Sequence, residues 1–358
     1  MRFVFSTAGS FGDLAPLIVL ARELRERGHE ICWIVNPFHR GTLAKWGFDC
    51  IPAGDAATME RVIRDPRLNS PFKYFRVLRE AGKEESGPML RALLENVGQG
   101  DVLVYRSLLA VARMTEEKLG IPGCAVFLTP TELSGEDDRA SLAGHRFNPI
   151  IQRSPKWSFE FFNRIAERGL IDPAMWKSLN PLRREIGLPE RHDSYREWMY
   201  GSRLPLALYP EWFGRLTRRL PDRARQTGFA FLSSDEVMPT DPVLEGFLDA
   251  GDPPVAITRG SAFRQSDELV EQVLGACEAL GCRTLLLSFD HEGPPRIEGK
   301  HCVSGPVAIG RVLPRCRALV HRGGIGAVAD GLRHGIPQLV LGPVVDPPGN
   351  GERVTRMG

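Results

Sequence analysis

Residues His321-Arg-Gly-Gly-Ile-Gly-Ala-Val-Ala-Asp330 join a short apolar run, Ala318-Leu319-Val320, to a segment over 327–334 that reads as a helix. A histidine and three glycines at a strand-to-helix junction leave backbone N–H groups uncovered at the positive end of a helix, which is a natural seat for phosphate. A second apolar strand follows, Gly335-Ile-Pro-Gln-Leu-Val-Leu341, and then a polar stretch with Asp346 and Asn350. Phosphate seat, buried strand and polar loop in that order point to a nucleotide-sugar site. By residue type alone, a histidine ahead of glycines reads more often as a turn residue. No Asp-x-Asp pair or histidine cluster suggests a metal.

The elements that must position these groups alternate between strand and helix. Phe3–Ser6, Glu30–Val35 and Phe48–Pro52 are short apolar runs, and Leu14–Arg27 has the i, i+3, i+4 spacing of an amphipathic helix ending at Gly28. Asp101–Val104 and Gly123–Leu128 flank a helical Leu109–Leu119. A second alternation runs from Val255–Thr258 through a helix at Asp267–Leu280, strands at Arg283–Ser288, Ala318–Val320 and Gln338–Leu341, and a helix at Ala327–His334. This pattern predicts parallel sheets covered on both faces. Segments 58–98 and 135–200, richer in Arg, Trp and Phe, read as helical or irregular insertions at the carboxyl rim of the first sheet. The arginines 215, 218, 219, 223 and 225 read as a solvated helix face rather than a ligand site.

A chain of 358 residues exceeds one ordinary core and predicts two domains. Its formal net charge of +2 gives no electrostatic argument for nucleic acid. Seven cysteines with no Cys-x-x-Cys pair argue against a disulfide framework and for buried free thiols in a reducing compartment. The chain starts on a strand, and no apolar run is long enough for a signal peptide or a membrane span. A cytoplasmic chain is expected, with peripheral contact with a membrane surface still allowed.

Further motifs fall in an order that resembles a known family. Gly9-Ser-Phe-Gly-Asp-Leu-Ala-Pro16 with Arg27-Gly-His29 opens the chain, and Asn180-Pro-Leu-Arg-Arg-Glu-Ile-Gly-Leu-Pro189, Leu208-Tyr-Pro-Glu-Trp-Phe213 and Thr227-Gly-Phe229 occupy its middle. Thr258-Arg-Gly-Ser261, Val312-Leu-Pro-Arg315, the His321 loop and the Asp346–Arg353 stretch follow. This set resembles bacterial members of glycosyltransferase family 1, the UDP-glycosyltransferase superfamily with the GT-B fold. The resemblance implies two Rossmann-like domains facing across a cleft. Residues 1–220 would bind the acceptor, 221–250 form a linker, and 251–358 bind the nucleotide-sugar donor, with some tens of residues of that domain lying past Gly358. It also implies an inverting transfer of a hexose from a UDP- or dTDP-linked donor to a hydroxyl of a lipophilic or natural-product acceptor. The nucleotide sugar is then a co-substrate, and neither cofactor nor metal is required.

The resemblance also implies roles. Asp13 stands where relatives place a catalytic histidine or aspartate and would be the general base; it also stands where a helix N-cap belongs. His321, Gly323, Gly324 and Gly326 would seat the leaving diphosphate, with Ser261 a further contact or else a cap or turn residue. Asp346 and Asn350 would hold donor-sugar hydroxyls from a loop. Departures are Pro347 where relatives have Gln, Ala327 where Thr is common, and Arg322 and Arg259 in unusual places. They motivate an alternative, a non-catalytic binding or helper protein. A Rossmann dehydrogenase is a weak third reading, because Gly9-Ser-Phe-Gly12 lacks the G-x-G-x-x-G fingerprint. Trp157, Phe159, Phe161, Phe162 and Trp176 hint at an apolar acceptor, although such runs more often pack a core.

Overall fold

A computed structural model describes residues 1–70, 73–133, 161, 164–232, 241–260, 267–288, 291–341 and 346–358. The chain divides into two compact units. One comprises Met1–Gly9, Asp13–Asp65 and Phe75–Ala230; the other comprises Ser10–Gly12, Pro66–Tyr74 and Phe231–Gly358.

The first unit holds strands β1 (Arg2–Ser6), β2 (Glu30–Val35), β3 (Ile51–Pro52), β4 (Asp101–Arg106), β5 (Gly123–Phe127), β6 (Leu204–Ala207) and β7 (Arg225–Gln226). They lie in the order β3-β2-β1-β4-β5-β6-β7, all parallel. The strands are apolar because their two faces are covered; every residue of β5 is buried. Helix α1 (Phe11–Glu26) buries Leu14, Leu17, Ile18 and Ala21, the i, i+3, i+4, i+7 stripe that faces a core. The 58–98 insertion contains α2 (Tyr74–Asn96), and α3 (Ala110–Leu119) ends at Gly120, whose φ of 65° gives the left-handed cap that glycine adopts without strain. Helix α4 (Asp172–Glu185) carries Trp176 into the core.

The second unit holds β8 (Val255–Thr258), β9 (Thr284–Leu287), β10 (Arg296–Glu298), β11 (His301–Ser304), β12 (Ala318–His321) and β13 (Gln338–Val340). Their order is β10-β11-β9-β8-β12-β13, parallel except for the antiparallel edge strand β10. Its helices include α5 (Pro242–Asp249), α6 (Asp267–Ala279), α7 (Ile325–Arg333) and α8 (Asp346–Arg356).

The 221–250 stretch expected as a linker is partly structured. Arg225–Gln226 is the edge strand β7, and Leu244, Phe247 and Leu248 of α5 join a core with Ala256, Leu285 and Leu319. Their i, i+3, i+4 spacing makes that short helix part of the second unit. The arginines at 215–225 do not form a helix face either. Arg219 pairs with Glu167 at 3.0 Å and Glu197 at 3.2 Å, and Arg223 donates to the Ser202 carbonyl at 2.9 Å. These cations tie turns to neighbouring helices of the first unit.

The strand orders mark where a ligand belongs. In the first sheet the chain runs outward from β1 to β2 and β3, then returns to place β4 on the other side of β1. In the second it runs outward from β8 to β9, then returns to place β12 on the other side of β8. Such a reversal opens a crevice beyond the carboxyl ends of the two central strands.

Candidate functional site

Asp13 sits beyond the first of these crevices. It is the third residue of α1, not the cap; Ser10 precedes the helix and its hydroxyl accepts from the Gly12 N–H at 3.2 Å. Arg106, the last residue of β4, donates from Nε to Asp13 Oδ1 at 2.9 Å. The same guanidinium donates from Nη1 to Glu132 Oε2 at 2.9 Å and to the Val126 carbonyl at 2.8 Å, and from Nη2 to Glu132 Oε1 at 3.1 Å. Glu132 also accepts from the Ser107 hydroxyl and from the Leu128 and Thr129 amides at 3.2 and 3.3 Å. Fork-on-fork pairing with this many donors locks the Glu132 carboxylate in place.

Exposure separates the two carboxylates. The Glu132 side chain is 7% exposed and Arg106 6%, whereas Asp13 keeps 27%. Burial works against the charged form of Arg106, but Glu132 and then Asp13 outweigh it and hold the guanidinium above its ordinary range. His39, at the end of the 3-10 turn after β2, bonds the Gly9 carbonyl through Nε2 at 2.9 Å. Burial lowers its pKa, with the Gly9 carbonyl and Asp13 acting in the opposite direction. Gly9 is a close approach: a Cβ there would lie 2.2 Å from Asp13 Oδ2. A side chain at position 9 would displace the carboxylate.

The second crevice is built around a buried histidine. His321 is the last residue of β12 and fully buried, so the imidazole does not lie beyond the strand as expected. Its Nε2 is 3.0 Å from Gln338 Oε1, and its Nδ1 accepts from the Gly323 N–H at 3.1 Å. This pairing selects the neutral Nε2–H tautomer. Burial pushes its pKa down to about 4, with the Gln338 bond acting against the shift. Both ring nitrogens are thus engaged inside the protein, which leaves none turned outward for a phosphate.

Asn350 grips the same glycine from the other side. It is fully buried and its Nδ2 donates to the Gly323 carbonyl at 2.9 Å. His321 and Asn350 together fix the Gly323 backbone, whose φ of 97° is one that glycine tolerates. The groups left facing outward are backbone: Gly324, at the N-cap of α7, and Gly326 are exposed, and a Cβ at either would meet nothing within 4 Å. Helix α7 begins at Ile325, two residues earlier than the sequence pattern implied, so its first amides lie in this glycine run.

Two further expectations change. The Asp346–Arg353 stretch is helix, not loop; Pro347 and Pro348 fall in the first turn of α8, where an N–H has no intrahelical acceptor. Asn350 is therefore a loop anchor. The Asp346 side chain and all of Ser261 lie outside the described residues, as do Trp157, Phe159 and Phe162. Trp176 is core, 5.1 Å from Trp198 between ring centroids.

Arg106, Glu132, Ser10, His39 and Gln338 were not anticipated, although signals existed. Thr129-Pro-Thr-Glu132 has capping-box spacing, and Arg106 is a charge closing an otherwise apolar strand. Gln338 opens the short strand Gln-Leu-Val and lies over Gly331 in α7, where a Cβ would meet its amide at 2.4 Å. A cavity of about 540 Å³ opens elsewhere in the second unit, lined by Phe247, Asp252, Arg283, Gly299 and Lys300. Arg283 and Lys300 precede β9 and β11, so it lies at the amino edge of the sheet, opposite the glycine loop.

The chain resembles known proteins along its whole length. Residues 3–134 match the family model of the glycosyltransferase family 28 N-terminal domain, and 298–358 match that of the erythromycin biosynthesis protein CIII-like C-terminal domain. The O-mycaminosyltylonolide 6-deoxyallosyltransferase of Streptomyces fradiae is 29% identical over 100% of this chain and 84% of its own. An uncharacterized glycosyltransferase of Mycobacterium tuberculosis is 28% identical over 97% of this chain and 83% of its own. Among solved structures, the kitacinnamycin glycotransferase superposes with a TM-score of 0.67 at 20% identity, over 100% of this chain and 84% of that one. The glycosyltransferase VinC, solved in complex with dTDP, gives 0.65 at 19% identity over 100% and 85%. The fold is GT-B, with two Rossmann-like domains. The sequence matches make the chain similar to glycosyltransferases, those of antibiotic biosynthesis among them.

Proposed function

We propose that this protein is an inverting, metal-independent hexosyltransferase of the UDP-glycosyltransferase superfamily, moving a sugar from a UDP- or dTDP-linked donor to a hydroxyl of a lipophilic natural product. Asp13 takes the proton of the acceptor hydroxyl. The acceptor oxygen then bonds to the anomeric carbon, and the carbon–oxygen bond to the diphosphate breaks with its electron pair leaving on phosphate. The amides at the start of α7, around Gly324 and Gly326, receive that growing charge together with the positive end of the helix. The exposure of Gly324 and Gly326 and the internal bonds of the His321 ring support a backbone seat for the diphosphate. His321 serves the seat indirectly, by holding Gly323.

One observation carries the reading. A carboxylate held by a guanidinium and an exposed glycine loop at a helix start each lie at the switch point of their own sheet. The dTDP named in the VinC structure and the deoxyallose transfer named for the Streptomyces relative support the donor and acceptor classes.

Titration calorimetry with UDP and dTDP tests the donor half, and transfer from UDP-glucose or dTDP-glucose to a panel of macrolide and polyketide alcohols tests the reaction. Binding of at least one diphosphate and formation of a glycoside with inverted anomeric configuration are expected. Binding of neither nucleotide would remove the proposal. Binding without transfer to any acceptor would favour the helper-protein alternative.

A further inference from the structure

The chain Glu132–Arg106–Asp13 uses more buried charge than a simple staple requires. Arg106 is buried, fully ionised, and anchored by the Val126 carbonyl at 2.8 Å, so its guanidinium cannot swing. It gives both Nη atoms to Glu132 and only Nε to Asp13. A lone guanidinium against Asp13 would hold the carboxylate in place but weaken it as a proton acceptor, because a neighbouring cation stabilises the charged form. A second carboxylate on the far side of the same cation reverses part of that loss. The three groups sum to one negative charge, and the more exposed member of the pair is Asp13.

We propose that Arg106 and Glu132 are positioning residues for Asp13, Arg106 fixing the carboxylate by its Nε–Oδ1 bond and Glu132 restoring its proton affinity from behind. This rests on the reading of Asp13 as the proton acceptor. Among the described residues, the charged and titratable groups around Asp13 include Arg106 from β4, Glu132 from the turn after β5, and His39 from the turn after β2. Gly9 completes the seat by its missing side chain.

The test reads the Asp13 carboxyl directly, by carbon-13 NMR titration of protein labelled at the aspartate side-chain carboxyl, with D13N assigning the signal. In E132Q the Arg106 charge is uncompensated and the Asp13 midpoint should fall, by on the order of one pH unit. In R106M the cation is gone and Glu132 faces Asp13 unopposed, so the midpoint should rise by a comparable amount. R106K, which keeps charge but has one donor head for two carboxylates, should lie between wild type and R106M. A purely structural pair would also shift these midpoints but would leave the acidic limb of the kcat/KM pH profile where it is in wild type, so that limb is followed in the same variants. Unchanged midpoints, shifts of one sign in both variants, or a limb that stays put while the midpoint moves would overturn the proposal. Should R106M fail to fold, the near-isosteric E132Q decides alone, and an unmoved midpoint there is sufficient to reject it. Failure of the base reading looks different: D13N would then transfer sugar at the wild-type rate whatever the midpoints do.

Discussion

The two switch points solve opposite electrostatic problems. At the end of β1 and β4 a carboxylate is fixed by a buried cation that is itself shared with a second carboxylate. At the end of β12 the uncharged side chains of His321, Gln338 and Asn350 shape a backbone loop, with the buried Arg322 beside them. A group that must accept a proton has to remain anionic and oriented, which a guanidinium does well. A loop that must receive a diphosphate is better served by amides and a helix end, which need no counter-ion and do not titrate.

That contrast can be broken at several points. The largest effect is expected from Asp13→Asn, which should slow transfer by about 100- to 10,000-fold while leaving UDP or dTDP affinity near wild type, since the change lies at the proton-accepting end. Steady-state kinetics with nucleotide calorimetry on the same preparation checks both parts. Near-normal turnover would leave Asp13 as a helix residue only.

Next is stability. Arg106→Met strands two carboxylates that are now paired, and should cost about 3–5 kcal/mol in denaturant unfolding, whereas removing a solvent-exposed pair such as Arg27–Glu23 should cost under about 1 kcal/mol.

The second region makes a pH prediction. His321 has its folded pKa lowered to about 4, so unfolding releases a group that binds protons up to about 6.5, and its contribution to stability rises as pH climbs between those values. Asp330 on α7 works in reverse: burial raises its carboxyl to about 6, with Arg333 opposing, so its contribution falls over nearly the same window. These two contributions nearly cancel, while His39, also lowered by burial, adds a slope of the His321 sign. Asp330→Asn should unmask a stability that grows by up to about 3 kcal/mol from pH 4 to 6.5, measured by chemical denaturation. A flat profile in that variant would mean His321 is not held neutral by burial.

The smallest effect concerns the loop itself. Gly326→Asp has room for its side chain and a favourable place near a helix start, so folding stability should hold or improve by a few tenths of a kcal/mol. Nucleotide affinity should nonetheless drop about tenfold, because the new anion competes with phosphate for the same amides. Unchanged affinity would place the diphosphate elsewhere.

The strand and helix pattern was largely legible because buried parallel strands are nearly unbroken apolar runs: β2 and β8 fall on the expected residues. Strand β6 was missed because Leu-Pro-Leu-Ala is four residues long and contains a proline, β10 because its three residues are all exposed, and β11 because its alternation runs for only four residues and begins and ends on His301 and Ser304. At the site, the glycines at 323, 324 and 326 announced themselves, although only Gly323, with a φ of 97°, has a backbone that favours glycine. The roles of His321 and Asn350 did not. A histidine that reaches outward and one that turns back to bond a neighbouring amide have the same sequence, and only Gln338 on the adjacent strand decides between them. Arg106 was hidden for the same reason. Its partners lie 93 and 26 residues away along the chain, and their meeting depends on β1, β4 and β5 being adjacent in the sheet.

The central claim, that each crevice at a strand reversal is a working site, is tested most directly by a crystal structure of the protein with dTDP or UDP bound. The account predicts diphosphate oxygens within hydrogen-bonding distance of the backbone amides around Gly324 and Gly326, with the His321 ring still bonded to Gln338 and to the Gly323 amide. A nucleotide lodged instead in the cavity between Phe247, Arg283 and Lys300, or a phosphate bonded to His321 with its Gln338 contact broken, would contradict it.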